Sequence, residues 1–336
     1  MNEVCNEILV SVIMPTYNTN ERYLREAIES ILHQTYSCFE FLITVDGSTN
    51  HDLSVAREFE AIDHRVKVID NGCNKGLVYS LNNMIMLSKG KYIFRMDSDD
   101  VSLPKRLEKM VNFLERNPDI DICGSQVRYL QSNKKTRRTF LPCSDQEIKS
   151  WLVFSNPLAH PSVVFRRDSL FAKNLKYSSS EKSEDYNLWV ECSNKGLTFS
   201  NYREPLLFYR IHDKQTISVY KTELSESGMR IRERYFRNLN IKISEDLLLL
   251  ITRFAQRPDS LEKPELVLIS QTMEMISNTF EDKLMVKKMY ASMFTKKVIT
   301  MRRKKKLEGK ERLTDYSIMR FASIFDKCAV RLCLTI

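Results

Sequence analysis

The chain has 336 residues, 43% hydrophobic and 10% aromatic, with a formal net charge of +9. That length exceeds the usual single domain, and the apolar content supports a sizeable core and excludes global disorder. The positive balance points to an anionic partner: a nucleotide, a nucleic acid or an acidic membrane surface. The eight cysteines are scattered, with no CxxC pair and no short Cys–His spacing. This argues against a zinc site and a secreted disulfide framework, and predicts small core residues in a reducing compartment. No basic segment followed by an apolar core opens the chain, and no uninterrupted apolar run approaches the ~20 residues that span a bilayer. The expectation is a cytosolic protein that can rest on the cytoplasmic face of a membrane.

Through the first 130 residues strand-like and helix-like patterns alternate. Ser11-Val12-Ile13-Met14 reads as a buried strand ending at Pro15. Leu24, Ala27, Ile28, Ile31 and Leu32 then form one apolar stripe on a helix from Glu21 to Gln34. Phe39 to Val45 is a second strand, stopped by Asp46-Gly47-Ser48. A helix over Asp52 to Glu60, a strand over Val66 to Ile69 and a helix over Leu77 to Leu87 follow. The run Tyr92-Ile93-Phe94-Arg95-Met96 is the next strand. Pro104 suits the first turn of a helix reaching Arg116, and Asp121 to Val127 is another strand. This alternation predicts an α/β fold with a mostly parallel sheet covered on both faces.

Residues 131–218 mix polar loops with strand-like runs at Ser162 to Phe165 and Leu206 to Tyr209. A helix over Glu184 to Lys195, stopped by Gly196, lies between them. From about residue 219 glycine and proline become rare, and Glu245 to Phe254 and Glu265 to Phe280 look helical. The expected organisation is therefore a domain over 1–218, with halves 1–130 and 131–218, followed by a helical, basic region over 219–336.

GxGxxG, GxxxxGK[ST], GxSxG and HExxH are all absent, which removes the dinucleotide, P-loop and commonest hydrolase readings. The chain offers instead carboxylates at strand ends: Asp46, the cluster Asp97-Ser98-Asp99-Asp100, and Glu184-Asp185. Three carboxylates in four residues repel one another unless something positive lies between them, and a hard divalent cation is the natural remedy. A solvated acidic turn accounts for the same spacing, as a turn former accounts for a lone strand-end aspartate.

Taken together, Ser11-Val-Ile-Met-Pro-Thr-Tyr-Asn18, Asp46-Gly-Ser-Thr49, Asn74-Lys-Gly76, Asp97-Ser-Asp-Asp100, His160-Pro-Ser162, Glu184-Asp185-Tyr186 and Tyr209-Arg-Ile-His212 change the balance. In this order and spacing the chain resembles a family 2 inverting glycosyltransferase of the GT-A fold, of the bacterial polysaccharide or lipopolysaccharide type, over about residues 9–218. The resemblance implies transfer of a hexose, with inversion, from a UDP-sugar to a glycan or lipid-linked oligosaccharide. It implies that Pro15, Thr16 and Tyr17 hold the nucleotide base and that Asp46 accepts a hydrogen bond from the uracil N–H. The family more often carries two aspartates here, and this chain, with Val45-Asp46, matches only the second. Asn74 and Gly76 would lie close to the nucleotide. Asp97 and Ser98 would face the ribose side, while Asp99, Asp100 and His212 would hold Mn²⁺ or Mg²⁺ against the diphosphate. Asp185 would be the catalytic base, with Glu184 positioning sugar or acceptor. His160 and Arg210 would contact donor or acceptor. Read alone, Glu184-Asp185 are better explained as first-turn acids of a helix, and core packing accounts for His160 and Trp189.

Lys296-Lys297 and Arg302-Arg303-Lys304-Lys305-Lys306 make a dense basic stretch, followed by apolar residues from Ile318 to Leu334. Such a pairing suits peripheral contact with an anionic membrane, and a solvated helical face suits it too. No nucleic-acid reader motif accompanies the charge, so no nucleic-acid partner is expected. Two other readings of the whole chain are a nucleotidyltransferase and a catalytically silent glycan-binding protein on the same fold. The first lacks a glycine-rich, basic opening loop, and the second would tend to have lost carboxylates that this chain keeps.

Overall fold

Seven consecutive buried residues, Val10–Thr16, form β1 of the computed structural model, which describes residues 8–131, 134–212 and 221–307. β2 (Phe39–Val45) and β4 (Tyr92–Arg95) are likewise buried along their whole length, as expected of parallel strands covered on both faces. β3 (Val66–Asp70) lies outside β2. Helices α1 (Glu21–Leu32), α2 (Asp52–Ile62), α3 (Leu77–Leu87) and α4 (Arg106–Arg116) alternate with them. The Asn20 side chain caps α1 by accepting from the Tyr23 N–H, and its stripe of Leu24, Ala27, Ile28 and Ile31 is buried. The leucine and isoleucine side chains of this stripe each contribute roughly 1.5–3 kcal/mol on leaving water. Met14, Phe41, Phe94, Leu107 and Met110 belong to the same core.

The second half of the sheet contains β5 (Val101–Ser102), β6 (Ile122–Gln131), β7 (Lys134–Arg138), β8 (Val164–Arg166) and β9 (Phe199–Ile211), giving the order β3-β2-β1-β4-β8-β6-β9-β5 with β7 against β6. β1 pairs in parallel with β2 on one side and β4 on the other. The carboxyl ends of the three strands therefore share one edge, and Thr16, Asp46 and Asp97 leave the sheet side by side. β9 runs parallel to β6 and antiparallel to β5, with Val101 opposite Phe208. That antiparallel pairing returns Arg210 and His212 to the loop that carries the acidic cluster.

Several boundaries differ from those the pattern suggests. Pro104 lies two residues before α4. The run at Leu206 is the middle of a strand of 13 residues. Its first half, with Ser200, Asn201, Arg203, Glu204 and Pro205, shows no alternation because register shifts against β6 break the period. Ser162 closes a 3₁₀ turn over His160–Ser162, so β8 starts at Val164. α5 (Asp145–Trp151), α6 (Arg167–Ala172) and β7 were not anticipated, being short or polar. α7 (Glu184–Asn194) lies at the expected place.

The described residues divide into two units, one within Met1–Asp145 and Asn156–Leu224, the other within Gln146–Ser155 and Ser225–Ile336. The second unit comprises most of α8 (Lys221–Asn238) together with α9 (Glu245–Gln256), α10 (Lys263–Ser277) and α11 (Lys283–Leu307). Within it, the Tyr235 and Tyr290 hydroxyls donate to the Lys149 and Ser150 carbonyls, and Arg232 Nε donates to the Phe154 carbonyl. The segment Gln146–Ser155 thus belongs to the helical unit, although the chain places it before α7. Lys297 donates to the Ala255 carbonyl at 2.7 Å, and burial lowers its pKa to about 8. It serves the interior of this unit rather than an open basic face. The side chains at 302–306 and the apolar segment from Ile318 lie outside the described residues. No described helix is long and apolar enough to cross a membrane. Of the described cysteines, Cys123 and Cys192 are buried, Cys38 and Cys143 half-buried and Cys73 exposed.

Candidate active site

The acidic cluster follows β4. Carboxylate oxygens of Asp97, Asp99 and Asp100 lie within 4.8 Å of one another, the one group among the described residues arranged to hold a metal ion. Arg95, the single charge in the apolar β4 run, is buried and meets Asp97 Oδ1 at 2.6 Å through Nη2. Its Nε and Nη1 have no partner, and neither does the buried Asp100 Oδ2. Burial, together with the charge of Asp97, raises the pKa of Asp99; burial and both neighbouring carboxylates raise Asp100 well above the usual carboxylate range. A buried acceptor without a donor, beside two crowded carboxylates, is a donor set that fits a hard divalent cation.

β9 completes this side. His212 Nε2 lies 2.7 Å from Asp99 Oδ2. The Arg210 N–H donates to Asp100 Oδ1 at 2.8 Å, and its Nε donates to the Asp99 carbonyl at 2.7 Å. The Arg210 guanidinium also pairs with Glu26 at 2.5 Å and lies 4.0 Å from the centre of the Tyr23 ring. Arg210 is thus committed to holding the cluster. Arg106, which is fully buried, donates to the Arg95 carbonyl, and burial lowers its pKa to about 9.

On the neighbouring strand ends, Thr16 is buried while Tyr17 is half exposed, at 51%. Both oxygens of the buried Asp46 are engaged. Asn71 Nδ2 and the Lys75 N–H donate to Oδ1 at 2.7 and 2.9 Å, and the Gly76 N–H donates to Oδ2 at 2.8 Å. Asp46 therefore folds the loop that bears Asn74 and Gly76, and Oδ2 retains acceptor capacity. Gly76 has φ +90°, a backbone conformation that side chains with a Cβ rarely adopt. Ser98 is buried and meets Thr19 Oγ1 at 2.7 Å.

Glu184 and Asp185 open α7. Asn156 Nδ2 donates to Asp185 Oδ2 at 2.5 Å, and the Tyr186 N–H donates to Oδ1 at 2.6 Å. Burial raises the Asp185 pKa against these two hydrogen bonds and the charge of Arg95. Burial and the adjacent Asp185 push Glu184 up to about 7; Arg95 opposes this and Asp97 adds to it. His160 Nε2 meets the Tyr177 hydroxyl at 2.7 Å, with Nδ1 3.9 Å from Glu184 Oε1. Burial and Arg95 hold the His160 pKa well below its ordinary value, so the ring is neutral there. Trp189 is fully buried and stacks on Phe165 as a core residue.

Sequence reasoning missed Arg95, Asn156 and Tyr177. Arg95 left a legible trace, a charge inside an otherwise apolar strand; the other two stand in loops with no periodic signal.

Comparison with known proteins agrees with this arrangement. The sequence profile of glycosyl transferase family 2 matches residues 11–175. The uncharacterized glycosyltransferase MJ1057 of Methanocaldococcus jannaschii is 38% identical over 210 residues, which are 61% of this chain and 72% of that protein. The Escherichia coli O-antigen biosynthesis glycosyltransferase WbnJ is 35% identical over 213 residues, covering 62% of this chain and 82% of WbnJ. The structure of S. aureus TarS residues 1–349 in complex with UDP-GlcNAc covers 92% of this chain and 94% of its own, with TM-score 0.58 and 16% identity, and so shares the GT-A fold. The strand-end carboxylates, the sheet order that gathers them and these likenesses agree: the chain belongs to glycosyl transferase family 2.

Proposed function

We propose that this glycosyltransferase moves a hexose, with inversion, from a UDP-sugar to a glycan or lipid-linked oligosaccharide. The observation that carries the reading is two carboxylate groups that both feel the charge of the buried Arg95: Asp97, Asp99 and Asp100 after β4, and Glu184 and Asp185 at the start of α7. The half-exposed Tyr17 offers a face to the base, and Asp46 Oδ2 an acceptor for the uracil N–H. Asp97 and Ser98 stand on the ribose side. Asp99, Asp100 and His212 would hold Mn²⁺ or Mg²⁺, which when bound neutralises charge on the departing diphosphate. Arg210 keeps Asp99 and Asp100 in place.

Asp185 takes the proton of the acceptor hydroxyl as its oxygen bonds to the anomeric carbon and the bond to the diphosphate breaks, releasing UDP. Glu184 and the neutral His160 stand beside it to orient sugar or acceptor. The UDP-GlcNAc bound to TarS supports the donor class, and the O-antigen role in WbnJ's name supports the acceptor class.

A panel of nucleotide sugars and nucleotides, each with and without Mn²⁺, tests the reading by thermal shift. Uridine nucleotides should raise the unfolding midpoint in a Mn²⁺-dependent way, and Asp99→Asn should lose that dependence. Stabilisation by guanosine or thymidine nucleotides but by none of the uridine set overturns the donor assignment.

A further inference from the structure

Asp52, the first residue of α2, belongs to none of the motif blocks, yet it is fully buried. One of its oxygens, Oδ2, gathers three donors from two loops: the Thr16 hydroxyl at 2.8 Å, the Thr19 N–H at 3.1 Å and the Ser48 hydroxyl at 2.8 Å. The other, Oδ1, has no partner. Thr19 carries the connection onward. Its hydroxyl stands 2.9 Å from Thr16 Oγ1 and 2.7 Å from Ser98 Oγ, inside the acidic cluster. Around this axis the two loops are pinned again. Asn18, at φ +50°, accepts from the Thr49 N–H at 2.8 Å, its own N–H donates to Ser48 Oγ at 3.1 Å, and Asn50 Nδ2 donates to the Thr19 carbonyl at 2.7 Å.

We infer that Asp52 is a positioning residue that locks the base-side loop 16–20, the loop 46–50 and the acidic loop 97–100 into one hydrogen-bonded unit, so that the base and the metal–diphosphate are received in fixed register. The inference rests on the nucleotide-binding role proposed above. Hydrogen bonds to a buried carboxylate are strong because the acceptor is charged, and a partly satisfied buried carboxylate is costly enough to need a reason. The reason is geometric. Tyr17 lies between Thr16 and Thr19, so fixing both neighbours presents its ring without an ordering cost at binding. Ser98 lies between Asp97 and Asp99, so the same unit fixes the backbone from which the cluster projects. A side chain outside the ligand's reach thereby sets the distance between two of its subsites.

Two readouts test this separately from the proposed activity. In the ligand-free protein, hydrogen–deuterium exchange should quicken in loops 16–20 and 97–100 together on Asp52→Asn, and chiefly in 97–100 on Thr19→Val, which cuts the bridge while keeping the shape. Exchange changes confined to residues near 52 overturn the inference. In calorimetry with UDP and Mn²⁺, Asp52→Asn should weaken binding by about tenfold and Thr19→Val by a smaller factor. The double variant should be no weaker than Asp52→Asn alone, because the two act through one network. Independent, multiplying losses overturn the coupling, as does a folded Asp52→Asn protein binding UDP within twofold of the parent. If Asp52→Asn does not fold, Thr19→Val and Ser98→Ala carry both measurements. A parent protein that binds no UDP sinks the donor assignment, while the exchange experiment still decides the role of Asp52.

Discussion

Arg95 Nη2 and Asp97 Oδ1 stand 2.6 Å apart, at the point where the acidic loop leaves the sheet. The guanidinium is 2% exposed and the carboxylate 32%, so the pair is buried at one end and wet at the other. Replacing Arg95 by Met removes the cation that opposes protonation of Glu184 and Asp185. The acid limb of the rate–pH profile should move to higher pH. Stability should fall by roughly 1–3 kcal/mol, less than for a fully buried pair, because Asp97 regains water. An unmoved limb, measured with donor hydrolysis as the assay, would remove Arg95 from the electrostatics of the base.

Glu184 carries a direct stability consequence. Its folded pKa, about 7, lies above the ordinary 4.5, so the folded state holds the proton more tightly than the unfolded chain does. The protonated form therefore favours folding, fully so below pH 4.5, and this contribution is lost as pH rises through about 7. Glu184→Gln, which is permanently neutral, should gain on the parent progressively between these limits, by roughly 2–3 kcal/mol at most at pH 8. Urea melts at pH 5 and pH 8 measure the difference; an equal gap at both pH values contradicts it.

For the base, Asp185→Asn should leave UDP affinity within about twofold and lower transfer by several orders of magnitude. Asn156→Ala removes a hydrogen bond that lowers the Asp185 pKa. It should reduce kcat far less than Asp185→Asn and shift the acid limb upward. Full turnover in Asp185→Asn moves the base elsewhere.

The metal should be pH-linked. Burial raises Asp99 and Asp100, each further raised by a neighbouring carboxylate, so protons compete with a cation for these groups increasingly as pH falls. The rise in unfolding midpoint produced by Mn²⁺ should shrink as pH falls from 8 to 5.5, and Asp99→Asn should flatten that dependence. A Mn²⁺ effect independent of pH would place the ion at other ligands.

Gly47 has φ +68°, and a Cβ there would lie 2.3 Å from the Asn74 nitrogen and the Cys73 carbonyl carbon. Backbone cannot yield as a flexible side chain does, so Gly47→Ala should cost about 2 kcal/mol or more and loosen the loop held by Asp46. A denaturant midpoint equal to that of the parent would show that the loop can retreat.

Residue pattern alone was enough to place β1, β2, α3, β4 and α7, because buried strands and amphipathic helices repeat on periods that side-chain chemistry reveals locally. It also singled out Asp46, the cluster at 97–100 and Glu184-Asp185, since acidic residues ending apolar runs stand out. The first half of β9 escaped because register shifts erase its alternation, and the segment 146–155 because nothing in its composition says with which helices it packs. Only the tertiary structure decided what surrounds each carboxylate. Arg95 meets Asp97 two residues away, but Arg210 reaches the cluster across 110 positions of chain, Asn156 reaches Asp185 across 29 and Asp52 reaches Thr16 across 36. Local periodicity carries no information about such partners. They are chosen by strand order and crossover, so charge, hydrogen bonding and pKa at this site are properties of the fold, while the identity of its carboxylates was already written in the sequence.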